Sequence, residues 1–160
     1  MATDLFIKID GIKGESTDKG HKEEIEVLSF SHGVSQMAPV RSTAGGGTGE
    51  RCSHQDFSFA KLTDKATPLL NKFVCKGDHI PMVHFYCRRA SGAGPIDYMV
   101  YEMKDVVITS YSISGASEVP MENISLNYGS IKWTYTEADD KDGKIGAVEA
   151  TWSLLENAEM

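Results

Sequence analysis

Five histidines, three cysteines and an aspartate-rich stretch are the residues of this chain suited to holding a metal ion or moving a proton. A zinc-type site needs several imidazole, thiolate or carboxylate groups converging on one point. His79 and His84 are close in sequence, but the segment around them reads as a strand, where residues five apart point to opposite faces. His32 and His54 flank a glycine-rich stretch, with no carboxylate or cysteine at ligand spacing. Cys52, Cys75 and Cys87 are odd in number and widely spaced, which fits neither a CxxC knuckle nor a disulfide framework. Reduced structural thiols are expected, and no metal or cofactor.

Other patterns are equally incomplete. In Ala138 to Glu149, Asp140, Asp142, Gly143 and Glu149 fall at the third, fifth, sixth and twelfth positions of a calcium loop, but the first position is Ala138 and the flanks read as strands. An Asp-rich hairpin is the simpler reading. Gly45 to Gly49 lacks the Lys-Ser or Lys-Thr ending of a phosphate loop. His54 and Asp56 stand near serines, yet no G-x-S-x-G elbow is present. The expectation is a protein that is not an enzyme and has no catalytic residues.

The elements that must position these residues are strands. Leu5, Ile7 and Ile9 share one face of a first segment, and Ile25 and Val27 alternate with Glu24 and Glu26. From Leu28 the apolar parity flips to Leu28 and Phe30, with Ser29 and Ser31 opposite, which predicts a bulge or a two-sided strand. Phe57 and Phe59 open another strand, Ile80 to Cys87 is apolar on both parities, and Tyr98 to Ile108 alternates weakly. Tyr111 and Ile113 alternate with Ser110, Ser112 and Ser114. Ile124, Leu126 and Tyr128 hold even positions before Gly129, and Ile131, Trp133 and Tyr135 hold odd ones after it, so a barrel corner is expected at Gly129. The last strand is expected near Val148 to Leu154, after the Asp142-Gly143 turn signal.

One helix is expected, with Thr67 as N-cap, Pro68 at its first position, an apolar stripe of Leu69, Leu70, Phe73 and Val74, and Gly77 as its stop. From Met37 to Cys52 no periodicity appears, and an unpatterned stretch of this length is usually functional or mobile. The 160 residues suit a single domain, 1–160. The fold class expected is all-β: a partly open β-barrel of two packed sheets with one short α-helix on its side.

The chain has 16 basic and 23 acidic side chains, a net charge of −7, and no basic run, so nucleic acid is an unexpected partner. Asp4, Lys8 and Asp10 interrupt the N-terminal apolar run, which excludes a signal-peptide core there, and no apolar stretch is long enough for a bilayer. Synthesis in the cytoplasm without membrane insertion is expected.

The order of segments resembles the hemolysin-coregulated protein (Hcp) family of bacterial type VI secretion systems. The resemblance rests on Phe6-Ile7-Lys8-Ile9, Gly14-Glu15-Ser16 with Asp18-Lys19, and Glu24-Ile25-Glu26-Val27-Leu28. It continues through Gln55-Asp56-Phe57-Ser58-Phe59, Asp64-Lys65, Thr67-Pro68-Leu69, Gly77, His79 and Arg88-Arg89-Ala90-Ser91-Gly92, and ends on Glu122-Asn123-Ile124-Ser125-Leu126-Asn127-Tyr128. His32 stands where the family commonly has Trp, and Ser91-Gly92 where Gly-Gly is usual.

The resemblance implies a structural subunit. Hexameric rings would stack into a hollow tube that carries effector proteins in its lumen, works with contractile sheath and spike proteins, and leaves the cytoplasm for the outside without a signal peptide. Met37 to Cys52 resembles the loop that reaches the adjacent ring, with Pro39, Arg41, Gly45, Gly46, Gly47, Gly49 and Glu50 as its stacking residues. Ser29 and Ser31, or Ser110, Ser112 and Ser114, are candidates for a hydroxyl-rich lumen wall. The alternatives are an effector chaperone or receptor acting through the ring lumen, and a small-ligand-binding barrel.

Overall fold

Two strands of 19 residues each run through the whole molecule, because their sequences contain no hairpin turn and their ladder stays paired throughout. The computed structural model describes residues 3–36, 51–90, 94–115, 118–139 and 143–160. In chain order the elements are β1 (Thr3–Ile9), β2 (Ile25–Val27), β3 (Ser29–Ser31), β4 (Val34–Ser35), β5 (Ser53–His54) and β6 (Phe57–Leu62). After these come α1 (Thr67–Lys76), β7 (Ile80–Arg89), β8 (Ile96–Ser114), β9 (Met121–Asp139) and β10 (Gly143–Ser153). The two segments expected around Tyr98 to Ile108 and Tyr111 to Ile113 are thus one strand, β8. Its ladder with β9 shifts register between Ile108 and Ser110 and does not end there. The last strand likewise begins earlier than expected, at Gly143.

Every pairing in the main sheet is antiparallel, in the order β2-β1-β7-β8-β9-β6-β3. The two ends of that order, β2 and β3, are separated in the chain only by Leu28, so one extended segment joins both edges and closes the barrel. This explains the parity flip after Val27. Val27 is buried opposite Leu5, and Phe30, itself partly open to solvent, lays its ring against the buried Phe57 and Phe85, while Leu28 and Ser29 lie outside at the crossing.

Closure is partial. The N-terminal half of β9 pairs with β6 and its C-terminal half with β10, so the long β8–β9 ladder belongs to both packed sheets. The change of partner falls at Gly129, as expected for a corner, and there Asp105 faces it with a left-handed backbone (φ 52°).

The core is the set of inward positions: Ile7, Ile25, Phe57, Phe85, Met103, Ile124 and Leu126 among others. On β7, Val83, Phe85 and Cys87 are buried, whereas His84 and Tyr86 are half-buried, so its second face is partly covered. Burial pushes the Cys87 thiol up to about 11, which keeps it a neutral, inert member of the core.

Two inward positions are charged. Lys61 and Glu122 face each other across the β6–β9 ladder, both fully buried, with Lys61 Nζ 2.8 Å from Glu122 Oε2. Lys61 also reaches Asp64 Oδ1 at 3.0 Å and the Leu62 carbonyl at 3.0 Å, and the hydroxyls of Thr67 and Tyr111 donate to the Glu122 carboxylate. Burial acts to raise the Glu122 carboxyl, but the hydrogen bonds from Lys61, Tyr111 and Thr67 outweigh it and hold it below its ordinary value.

This network corrects the expected helix start. The N-cap is Ala66 without a side-chain cap, Thr67 being committed to Glu122, and Asp64 Oδ1 accepts from Ala66 N at 2.9 Å in its place. Pro68 lies in the first turn and Gly77 closes the helix at φ 65°, as expected. Of the apolar stripe, Leu70 is buried, Phe73 and Val74 pack against the core, and Leu69 is left exposed.

Lys61→Met should cost about 3–5 kcal/mol in urea unfolding, because it strands the Glu122 charge in the core. The double variant Lys61→Met, Glu122→Leu should recover part of that loss. Gly14→Ala should cost at least about 2 kcal/mol, since an added methyl would stand 2.4 Å from the Glu24 carbonyl oxygen, backbone that cannot swing aside.

Candidate functional site

At the centre of the outer face of the sheet β3-β6-β9-β8 the side chains are small and uncharged. Register makes two rows across it. Ser31 pairs with Ser58, Ser58 with Ser125 and Ser125 with Ser110. In the next row Ser29 pairs with Ala60, Ala60 with Asn123 and Asn123 with Ser112. Ser29, Ser31, Ser110, Ser112 and Asn123 are exposed, and Ser58 Oγ and Ser125 Oγ are bonded at 2.9 Å.

The two serine groups considered separately in the sequence therefore share one surface. Ser58, Ser125 and Asn123 join them, and sequence reasoning missed these three. Their signal was present: each occupies the parity opposite to the buried Phe57, Phe59, Ile124 and Leu126. Beyond these rows Asp56 continues the polar surface, accepting from Thr109 Oγ1 at 2.6 Å and Asn127 Nδ2 at 3.1 Å.

Pro39, Arg41, Gly45, Gly46, Gly47, Gly49 and Glu50 lie outside the described residues. What the structure does describe is the root of that segment. β4 and β5 pair through Val34 with His54 and Ser35 with Ser53, so the chain leaves after Ser35 and re-enters at Ser53 side by side. The root is tied to β9 by two histidines, since His32 Nε2 and His54 Nδ1 both bond the Tyr128 hydroxyl, at 2.6 and 2.7 Å.

Aromatic rings surround this junction. His54 stacks on Trp133 at 6.3 Å between centroids, and His32 lies within 6.5 Å of Phe57, Tyr101, Trp133 and His54. Burial lowers the His32 imidazole, helped by the charge His54 would carry, and burial lowers His54 too. Burial also drives the Tyr128 phenol well above its usual range, so it is a neutral hydroxyl. A cleft of about 210 Å³ opens beside the junction, lined by Val34, Gln36, Cys52, His54, Trp133 and Trp152.

Apolar side chains remain uncovered at both ends of β9. Near its start Met121, Leu62, Val119, Leu28 and Ile113 are exposed, Leu62 pairing with Met121. Near its other end Val148, 73% exposed, stands opposite the exposed Tyr135 on β10, a strand paired on one edge only among the described strands.

The residues suited to metal binding or proton transfer fall at several separate places in the fold. His79 bonds Asp105 at 2.6 Å and His84 approaches Glu102 at 3.5 Å, each with its own carboxylate on β8, so the two histidines are separate. His32 and His54 do meet, but on a tyrosine, and among the described residues no group of three or more His, Cys, Asp or Glu could hold a metal. Cys52, Cys75 and Cys87 are free thiols. In the calcium-loop stretch the flanks are strands, Gly143 pairing with Asp139 and Lys144 with Ala138, while Asp140 and Asp142 lie outside the described residues.

His21, buried between Phe6 and Tyr86, bridges Glu24 at 2.7 Å and Asp97 at 2.9 Å. Beside it Arg88 clamps Asp18 with two bonds of 2.6 Å and holds that carboxyl down at about 2. These clusters pin the 10–24 connection onto β1 and β7; they leave no open acid–base pair.

Comparison with known proteins agrees with this geometry. A profile of the family described as "Type VI secretion system effector, Hcp" matches residues 6–135. The chain is 39% identical over 164 residues to Protein hcp1 of Pseudomonas aeruginosa, covering 99% of both chains. It is 25% identical to the "Major exported protein" of the same organism, over 84% of this chain and 90% of that one. Among solved structures it resembles a type six secretion system protein at TM-score 0.91 and 28% identity, covering 99% of this chain and 100% of that one. It resembles Hcp1 from Salmonella typhimurium at TM-score 0.82 and 34% identity, with both chains wholly covered. A barrel closed by one segment crossing from β2 to β3, together with full-length identity at this level, leaves one assignment: the chain belongs to the Hcp family of type VI secretion system proteins.

Proposed function

We propose that this chain is the ring-forming tube subunit of a type VI secretion system, with six copies per ring, rings stacked into a hollow tube, and effector proteins carried in the lumen. The observation that carries the reading is the neutral, hydroxyl-rich face centred on Ser31, Ser58, Ser125 and Ser112. A wall of small side chains without net charge leaves room for cargo and offers adaptable hydrogen bonds to many surfaces. No charged residue occupies either of its two rows.

The exposed apolar groups supply the means of closure. A ring held by head-to-tail contacts needs two different patches on each subunit, and such patches stand at opposite ends of β9: Leu28, Leu62, Val119 and Met121 at one, Val148 and Tyr135 at the other. Stacking falls to residues 37–50, whose root the β4–β5 pair fixes. Contractile sheath and spike proteins are the partners of the finished tube, and the subunit passes from cytoplasm to exterior with it. The role is mechanical and needs no catalysis.

Negative-stain electron microscopy with light scattering should find annular particles of six times the 17.5 kDa chain mass. Compact single subunits at high concentration would exclude the ring. Val148→Glu should shift the population to monomer while leaving far-ultraviolet circular dichroism unchanged. Deleting Ala44 to Gly49 should leave rings intact but abolish their stacking, and unimpaired tube formation would remove that role. Ser31→Trp should keep the ring and reduce effector retention, so undiminished retention would argue against this face as the lumen.

A further inference from the structure

We propose that His32, Tyr128 and His54 form a proton-operated latch that fastens the β4–β5 strand pair to β9 when both imidazoles are neutral and releases it on acidification. The reasoning begins with the valence of the hydroxyl. A phenol carries one proton to donate and lone pairs to accept. With both rings neutral, Tyr128 donates to one histidine nitrogen and accepts N–H from the other, and all three groups are satisfied at 2.6 and 2.7 Å.

One proton is accommodated, since the ring that donates can take it on its far nitrogen and keep its bond to Tyr128. A second proton, on the imidazole that accepted, removes its lone pair, so both rings aim N–H at one oxygen and the phenol proton loses its acceptor. Tyr128 is 3% exposed, so water cannot readily replace that acceptor, and a buried unsatisfied donor is costly. The same second proton places two cations on rings whose centroids are 6.5 Å apart.

The surroundings do nothing to soften these costs. β6 contributes Phe57, β8 Tyr101, β9 Trp133 and β10 Trp152, none of which carries charge at neutral pH. Cys52 and Arg51 precede β5; the guanidinium is bound to the Leu154 carbonyl. Asp56, the carboxylate whose charge reaches Tyr128, is already held by Thr109 and Asn127.

The direction of linkage follows. Both imidazoles sit below 6.5 in the fastened state, His32 through burial and then His54, His54 through burial. The released state binds protons more readily, so the latch is fully favoured above 6.5 and weakens as pH falls below it toward the depressed values. This conclusion does not require the tube reading, since it concerns one subunit.

The test follows the histidine ring signals by NMR and tryptophan emission from pH 8 to 4.5, with hydrogen exchange on the amides of Ser35, Ser53 and Gln55, which point into the β4–β5 ladder. Wild type should show His32 and His54 titrating below 6.5 in two coupled steps. Trp133 emission should fall at the same midpoint, because a protonated imidazole quenches the indole stacked on it. These three amides should lose protection at acid pH, after correction for intrinsic rates, while those of β9 keep theirs.

In Tyr128→Phe the midpoints should rise by up to about one pH unit and the coupling should shrink to the direct repulsion between the two rings. If that variant does not fold, His54→Gln serves, and it should abolish the emission change while circular dichroism stays native. Independent titration of the two rings at the ordinary histidine value would overturn the proposal. So would undiminished protection of the three amides at acid pH.

Discussion

The ion pair between Lys61 and Glu122 is the constraint on which the rest of the molecule rests. Two charges in a core of phenylalanine and isoleucine are tolerable only when every donor and acceptor around them is used. Lys61 on β6, Glu122 on β9, Tyr111 on β8 and Thr67 at the head of α1 meet that demand together, with Asp64 closing the set. The network therefore fixes three strands and the helix in one mutual arrangement. A hydrophobic contact there would allow sliding; a directional set of bonds does not.

From that fixed point the outer surface follows. Because Lys61 and Glu122 point inward opposite one another, Ala60 and Asn123 point outward opposite one another, and the same register carries Ser58 to Ser125. Serines and small residues from four strands then fall into common rows. The polar wall is a consequence of ladder register, and a one-residue slip in β6 would turn Phe57, Phe59 and Lys61 outward and destroy core and wall together.

Beyond Tyr128 the strand β9 changes partner at Gly129, and the gap left by β6 is where the β4–β5 pair docks. A barrel that closed completely would have no such seam and no place to root residues 37–50. The partial opening thus joins the structural role of β9 to the segment that the proposed stacking requires. The junction is polar and aromatic, built from two imidazoles and a phenol where the rest of the seam is filled by Phe30, Phe57, Tyr101 and Trp133.

By itself the sequence determined the strand character, the corner at Gly129, the helix stop at Gly77, and the absence of a complete ligand or nucleophile motif, because these depend on side-chain parity and local backbone preference. Even the charged core could have been read there, since Lys61 shares parity with Phe57 and Phe59, and Glu122 with Ile124 and Leu126. Only the tertiary structure decided which strands are neighbours. Pairing joined Ser31 to Ser58 across 27 residues and His32 to Tyr128 across 96. It also took Thr67 from its expected capping role, because a buried carboxylate competes for a hydroxyl more strongly than a helix end that water can reach. Long-range register arises from the simultaneous fit of core, turns and edges, and no local stretch of residues encodes it.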